Sequence, residues 1–190
     1  MRWYLITLFA LFDSLLLQTG LAYNIGSRSK RDGTDSSGEN LKTFQQQALV
    51  SHNSYRAKHC APALVLDDGI SQSAQTYAEK LATIGHLVHS NSAGLGENLY
   101  SMSSSEALKT LSGSQPVTAW YNEVQDYNFG SPGFSSETGH FTQVVWKGTT
   151  KFGIGLAFSS DQRTAYVVAQ YSPPGNYLNQ FARNIASTGC

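Results

Sequence analysis

A chain of 190 residues, 41% apolar and 12% aromatic, can bury one sizeable core, so one domain is the default. Its formal charge is zero, but residues 1–31 hold Arg2, Arg28, Lys30 and Arg31 against Asp13, leaving nine basic and twelve acidic residues beyond them. That remainder, at −3, favours neither nucleic acid nor an anionic membrane surface through bulk electrostatics.

In chain order, Met1-Arg2-Trp3 opens an apolar run that continues through Leu15-Leu16-Leu17, with Gly20 and Ala22 as small residues at the −3 and −1 positions of a cleavage site. This pattern reads as a secretory signal over residues 1–22. A membrane anchor is the rival; Asp13 and Ser14 interrupt the run, which is short of the ~20 apolar residues a span needs. Arg28-Ser29-Lys30-Arg31 resembles a site cut by proprotein convertases. Cutting there would make 23–31 a propeptide and leave Asp32 as the mature N-terminus; a solvated basic turn is the alternative.

Residues 32–40 are polar and turn-forming, a disordered lead-in. From Leu41 onward, Leu41, Phe44, Ala48, His52, Tyr55 and His59 recur at steps of three and four, which predicts an amphipathic helix ended by Pro62. His52 on its buried stripe reads as a core histidine bonded to backbone. Asp67 or Asp68 can cap a second helix, with Ile70, Ala74, Tyr77, Ala78 and Leu81 on one face and Gly85 as its stop. A link then carries His86, His89 and the run Gly94 to Tyr100, in which Glu97 sits oddly between a glycine and an apolar pair.

The Ser-rich stretch 101–115 offers at most one helical turn at Glu106 to Thr110. Pro116 suits the first turn of a third helix lined by Val117, Trp120, Tyr121 and Val124. Glu123, three residues from Trp120, shares the edge of that stripe, where an isolated carboxylate costs several kcal/mol unless it is paired, bonded or metal-bound. A Pro-Gly loop with Phe129 and Phe134 follows. Phe141 to Lys147, rich in β-branched and aromatic residues, predicts a strand led by His140. Segments 152–158 and 165–171, joined at Ser159-Ser160-Asp161, predict a hairpin. Helices followed by an antiparallel sheet imply a layered α+β domain.

Cys60 and Cys190 suit a single bridge in an oxidising compartment, and closing so long a loop contributes ~4 to 5 kcal/mol in the chain-entropy model; two free thiols are the alternative. No Asn-x-Ser/Thr sequon occurs, so N-glycosylation is not expected.

Gly139-His140-Phe141-Thr142-Gln143-Val144-Val145-Trp146-Lys147-Gly148-Thr149 resembles the signature of the CAP superfamily (cysteine-rich secretory proteins, antigen 5 and pathogenesis-related proteins of class one; the SCP domain). Val167 to Tyr177 matches the second signature, with Ala169 where many secreted members place a cysteine. His52-Asn53-Ser54-Tyr55-Arg56 and Gly96-Glu97-Asn98-Leu99-Tyr100 resemble two further motifs, so the likeness spans residues 41–187. The missing cysteines point to the Golgi-associated and yeast sterol-exporting branches.

The resemblance implies a three-layer α-β-α sandwich with a central antiparallel sheet, and a cleft of two histidines and two glutamates that map onto His89, Glu97, Glu123 and His140, with His86 the competing first histidine. Two imidazoles with oxygen ligands suit zinc or another divalent ion. A metal-bound water with Glu97 or Glu123 as general base would make a hydrolase; no Gly-x-Ser-x-Gly elbow supports one, and catalysis is not established. A self-satisfied polar cluster joining helix to sheet is the structural alternative. Tyr127, Phe129 and Phe134 resemble the aromatic loop through which yeast relatives bind sterols, which implies a sterol or fatty-acid ligand, contact with a membrane surface and action outside the cell. A loop closed on its own aromatics, or a secreted defence or signalling ligand, are the alternatives.

Overall fold

The computed structural model describes residues 36–189. Within them run α1 (Ser36–Lys58), β1 (Val65–Leu66), α2 (Asp68–Ile84), β2 (Gly96–Ser103), α3 (Ser114–Asn122) continued by a 3-10 turn (Glu123–Asp126), α4 (Gly139–Val144), β3 (Lys151–Phe158), β4 (Thr164–Ser172) and α5 (Phe181–Asn184). The signal peptide expected over 1–22, the propeptide over 23–31 and Cys190 lie outside the described residues. Cys60 is not a free thiol.

Helix α1 opens at Ser36, before the Leu41 start expected from periodicity, so residues 36–40 of the expected lead-in are helical. Extending a helix already anchored by buried Phe44 and Ala48 needs no new nucleus. Helix α2 begins and ends at its own signals. Asp67 accepts from the Ile70 N–H as N-cap, and Gly85 closes the helix in the left-handed region at φ 86°.

The sheet order is β1-β3-β4-β2. The β3–β4 hairpin and the β4–β2 pair are antiparallel, but β1 runs parallel to β3, so the sheet is mixed rather than wholly antiparallel. The long stretch between β1 and β3 supplies the crossover that parallel pairing requires. Alternation along β4 builds two cores. Ala165, Val167, Ala169 and Tyr171 face α1, α3 and α4, with Phe44, Ala48, Trp120 and Phe141. Tyr166 and Val168 face α2, with Ala74, Ala78 and Leu81. A Cβ at Gly153 or Gly155 would run into the α2 backbone at Ser71 or Gln75, so only glycine lets α2 lie this close to the sheet.

Phe141 to Lys147 does not form the expected strand. Gly139–Val144 is helical, and Phe141, Val144, Val145 and Trp146 are all buried. A segment buried on every side shows no periodicity, and its β-branched composition then points to the wrong element. Strand β2, unread in the sequence, is an edge strand whose second half alternates exposed Ser101 and Ser103 with partly buried Tyr100 and Met102.

Candidate functional site: two histidine–carboxylate pairs beside strand β2

The turn after α3 aims Glu123 at the start of α4. Its Oε2 accepts from the backbone N–H groups of His140 and Phe141, each at 3.0 Å. Its Oε1 lies 2.6 Å from His140 Nδ1. One carboxylate therefore caps a helix and orients an imidazole. Asn176, in the left-handed region at φ 59°, adds a second clamp: its Nδ2 donates to Gly139 O at 2.9 Å, and its Oδ1 accepts from the Thr142 hydroxyl at 2.7 Å. Trp120 lies nearly parallel to the His140 ring, 6.4 Å between centroids.

The second pair sits at the start of β2. Glu97 Oε1 lies 2.8 Å from His89 Nδ1 and accepts from Ser90 N–H at 2.8 Å, while Oε2 accepts from Gln170 Nε2 at 3.1 Å. Burial would raise the Glu97 carboxyl, but the hydrogen bonds from Ser90, Gln170 and His89 outweigh it and hold the pKa below the ordinary glutamate value. Strand alternation connects the pairs: Glu97 reaches His89, and its neighbour Asn98 donates to the carbonyl of His140 at 3.1 Å.

Each sequence-named histidine thus meets one sequence-named glutamate, His89 rather than His86 being the one that meets Glu97. They stand as two pairs; among the described residues no three or more His, Cys, Asp or Glu side chains cluster closely enough to hold a metal ion together. The donor chemistry suits a cation on the imidazoles, because a carboxylate on Nδ1 leaves Nε2 as the neutral ligand nitrogen. The glutamate oxygens already accept from histidine, amide and backbone N–H groups. Gln170, fully buried in β4, was given no role from sequence, although an amide inside the apolar run Ala165 to Tyr171 signals a buried partner.

Tyr127, Phe129 and Phe134 do not act alike. Tyr127 is buried, in edge contact with Phe129 at 4.9 Å. Phe129 is parallel to the His59 ring at 6.1 Å and packs on the core. Phe134 is 56% exposed and lies against Gly139, where α4 begins.

The family model described as "Cysteine-rich secretory protein family" matches residues 49–171, most of the ordered domain and all four motifs in part or whole. The chain belongs to this CAP family. It is 43% identical to human "Golgi-associated plant pathogenesis-related protein 1" over 76% of this chain and 93% of that protein. It is 38% identical to "Protein PRY2" of Saccharomyces cerevisiae over 75% of this chain but only 41% of the yeast protein. Among solved structures it resembles NaASP2 with Zn2+, at a TM-score of 0.62 and 25% identity, covering 79% of this chain and 88% of that one. The α+β architecture seen here is thus that of a CAP domain. No helix among the described residues is long and apolar enough to cross a membrane.

Proposed function

We propose that this CAP domain acts outside the cell as a binding protein without turnover, holding a divalent cation such as zinc through His89 and His140. The observation that carries this reading is the state of the carboxylates. Glu123 and Glu97 each hold an imidazole through Nδ1 and a backbone N–H, so the site offers two oriented ring nitrogens and no carboxylate free to serve as general base. The solved NaASP2 structure with Zn2+ supports the choice of ion. A bound ion would supply Lewis acidity to whatever oxygen ligand it carried; the chain itself supplies orientation. Zinc titration calorimetry checks this: wild type gives saturable heat, and His140→Ala and His89→Ala each lose it. Equal heats for wild type and His140→Ala would remove the metal reading.

A second reading, carriage of a sterol or fatty acid, is favoured by one surface. Phe134, Tyr177 and Leu178 are 56%, 49% and 74% exposed, and Asn176, just before Tyr177, is bonded to the Gly139 on which Phe134 rests. Apolar surface of this kind gains ~25 cal/mol per Å² when covered. Because Tyr127 and Phe129 belong to the core, Phe134 carries the test. Phe134→Ser should cut radiolabelled cholesterol uptake severalfold with an unchanged melting temperature; unchanged uptake would discard the loop as the lipid contact.

A further inference from the structure

The two edges of the sheet are protected unequally. Along β3, β1 pairs with Lys151 and Phe152, Gln45 of α1 donates to Ile154 O at 3.0 Å, and Gln75 of α2 bonds both the C=O and the N–H of Leu156. Along β2 the cover stops half-way. Ser104 N–H donates to Arg163 O and Ser103 is in register with Thr164, so Asn98, Tyr100 and Met102 bond to β4 while the main chains of Leu99, Ser101 and Ser103 face outward. Trp120 Nε1 takes Leu99 O at 2.9 Å. Ser101 and Ser103 are exposed, and among the described residues no hydrogen bond reaches their outward N–H and C=O groups.

The exposed edge strand of a monomer is commonly blunted by a lysine, a proline or a bulge. None interrupts this one: Asn98 to Ser105 holds no charge and no proline, and the register with β4 runs unbroken from Gly96 to Ser103. The occupant that fits is a strand already in place. Ordering each residue of a flexible peptide costs about as much as a main-chain hydrogen bond contributes, and only Ser101 and Ser103 offer such bonds. A second copy of the chain brings the same strand pre-ordered, with Gln115 of α3 already holding the Met102 sulfur at 2.8 Å. When a two-fold axis passes beside Met102 the strands run antiparallel, and Ser101 of one copy and Ser103 of the other exchange both main-chain bonds. The side chains brought together are then serine against serine and Met102 against Met102, with no like charges opposed.

We propose that this chain forms a two-fold homodimer through the open half of β2, joining the two sheets edge to edge. The contact is small, so the dimer is concentration-dependent rather than permanent. It lies at the end of β2 away from the Glu97–His89 pair and does not rest on the cation or lipid reading.

Sedimentation velocity on the purified protein from about 10 µM to about 1 mM tests the assembly, and amide hydrogen exchange by NMR over the same range locates it. Wild type should pass from monomer to dimer, and the Ser101 and Ser103 amides should exchange severalfold more slowly at the top of the range than at the bottom, while the Leu156 amide, held by Gln75, does not change. Ser101→Lys/Ser103→Lys opposes like charges across the axis and should stay monomeric throughout, with an unchanged melting temperature at the lowest concentration. Ser101→Lys/Ser103→Glu sets the new lysine of one copy against the new glutamate of the other and should dimerise again; failure of that rescue would overturn the pairing of Ser101 with Ser103. A wild type that stays monomeric, serine exchange that ignores concentration, or a double-lysine variant that still dimerises would each overturn the proposal.

Discussion

Helix α1 and the cleft beside β2 carry the same side chains under opposite constraints. His52 in α1 and His59 in the turn directly after it are fully buried and engaged at both ring nitrogens: His52 with Ala48 O and Tyr171 OH, His59 with Ala186 O and Tyr121 OH. In the cleft, His89 and His140 have side chains 59% and 34% exposed, and among the described residues their ring hydrogen bonds run through Nδ1. A histidine fixed at both nitrogens is a strut, while one fixed at a single nitrogen is oriented and still able to bind. Arg56 extends the contrast, being a fully buried cation held by four carbonyl bonds: Nε to Pro62, Nη1 to Val144 and Trp146, Nη2 to Thr149. Burial lowers its pKa to about 10, which leaves it charged at neutral pH.

The largest test of that contrast is therefore Arg56→Met. It removes the donors to four carbonyls and loosens the segment after α4, so it should lower unfolding free energy by about 3 to 5 kcal/mol in urea titrations. A loss below ~1 kcal/mol would mean that water replaces the guanidinium without cost. The Arg56→Lys variant should recover little, because an ammonium cannot reach the same four acceptors in one plane.

A smaller effect appears with pH. Burial lowers the His52 pKa to about 3, against the raising influence of its bond to Ala48. Between that value and ~6.5 the unfolded chain binds a proton that the folded chain does not, so acid favours unfolding. His52 then costs the fold up to ~1.4 kcal/mol for each pH unit below ~6.5. Burial lowers His59 in the same direction. The double variant His52→Phe/Tyr171→Phe, which removes both partners of the His52–Tyr171 bond, should show a flatter decline in urea midpoint between pH 7 and pH 5 than wild type. Parallel declines would show that His52 does not report on acid unfolding.

How far the sequence reveals these regions follows from the same physics. The α1 stripe was readable because one face is buried and the other wet, and α2 because Asp67 and Gly85 mark its ends chemically. Helix α4 was not, since burial on all sides erased its period, and its helical start depends on a carboxylate from the preceding turn. Glu123 and Glu97 stood out as acids in apolar contexts, but that each would hold one histidine depended on tertiary contacts absent from any spacing. Arg56 and Gln170 were hidden for the same reason: the Val144 partner of Arg56 lies 88 positions away in the chain and the Glu97 partner of Gln170 lies 73 away.

The cleft can be divided further, because its two glutamates are anchored differently. Glu123 caps α4 through two backbone N–H groups as well as holding His140. Glu97 meets one backbone N–H, with side chains supplying the rest. Glu123→Gln keeps a single acceptor oxygen for three donors, so it should cost about 1 to 2 kcal/mol. Glu97→Gln keeps an oxygen for its one backbone donor, Ser90, and Gln170 Nε2 also reaches the Ser90 and Ser92 hydroxyls, so it should cost under ~1 kcal/mol. Both variants should weaken zinc binding, since each releases an imidazole from its set tautomer. Thermal unfolding with and without zinc separates the roles. An α4 cap predicts a lower melting temperature for Glu123→Gln in the metal-free protein, and equal metal-free values for the two variants would show that the capping bonds add nothing beyond the hold on His140.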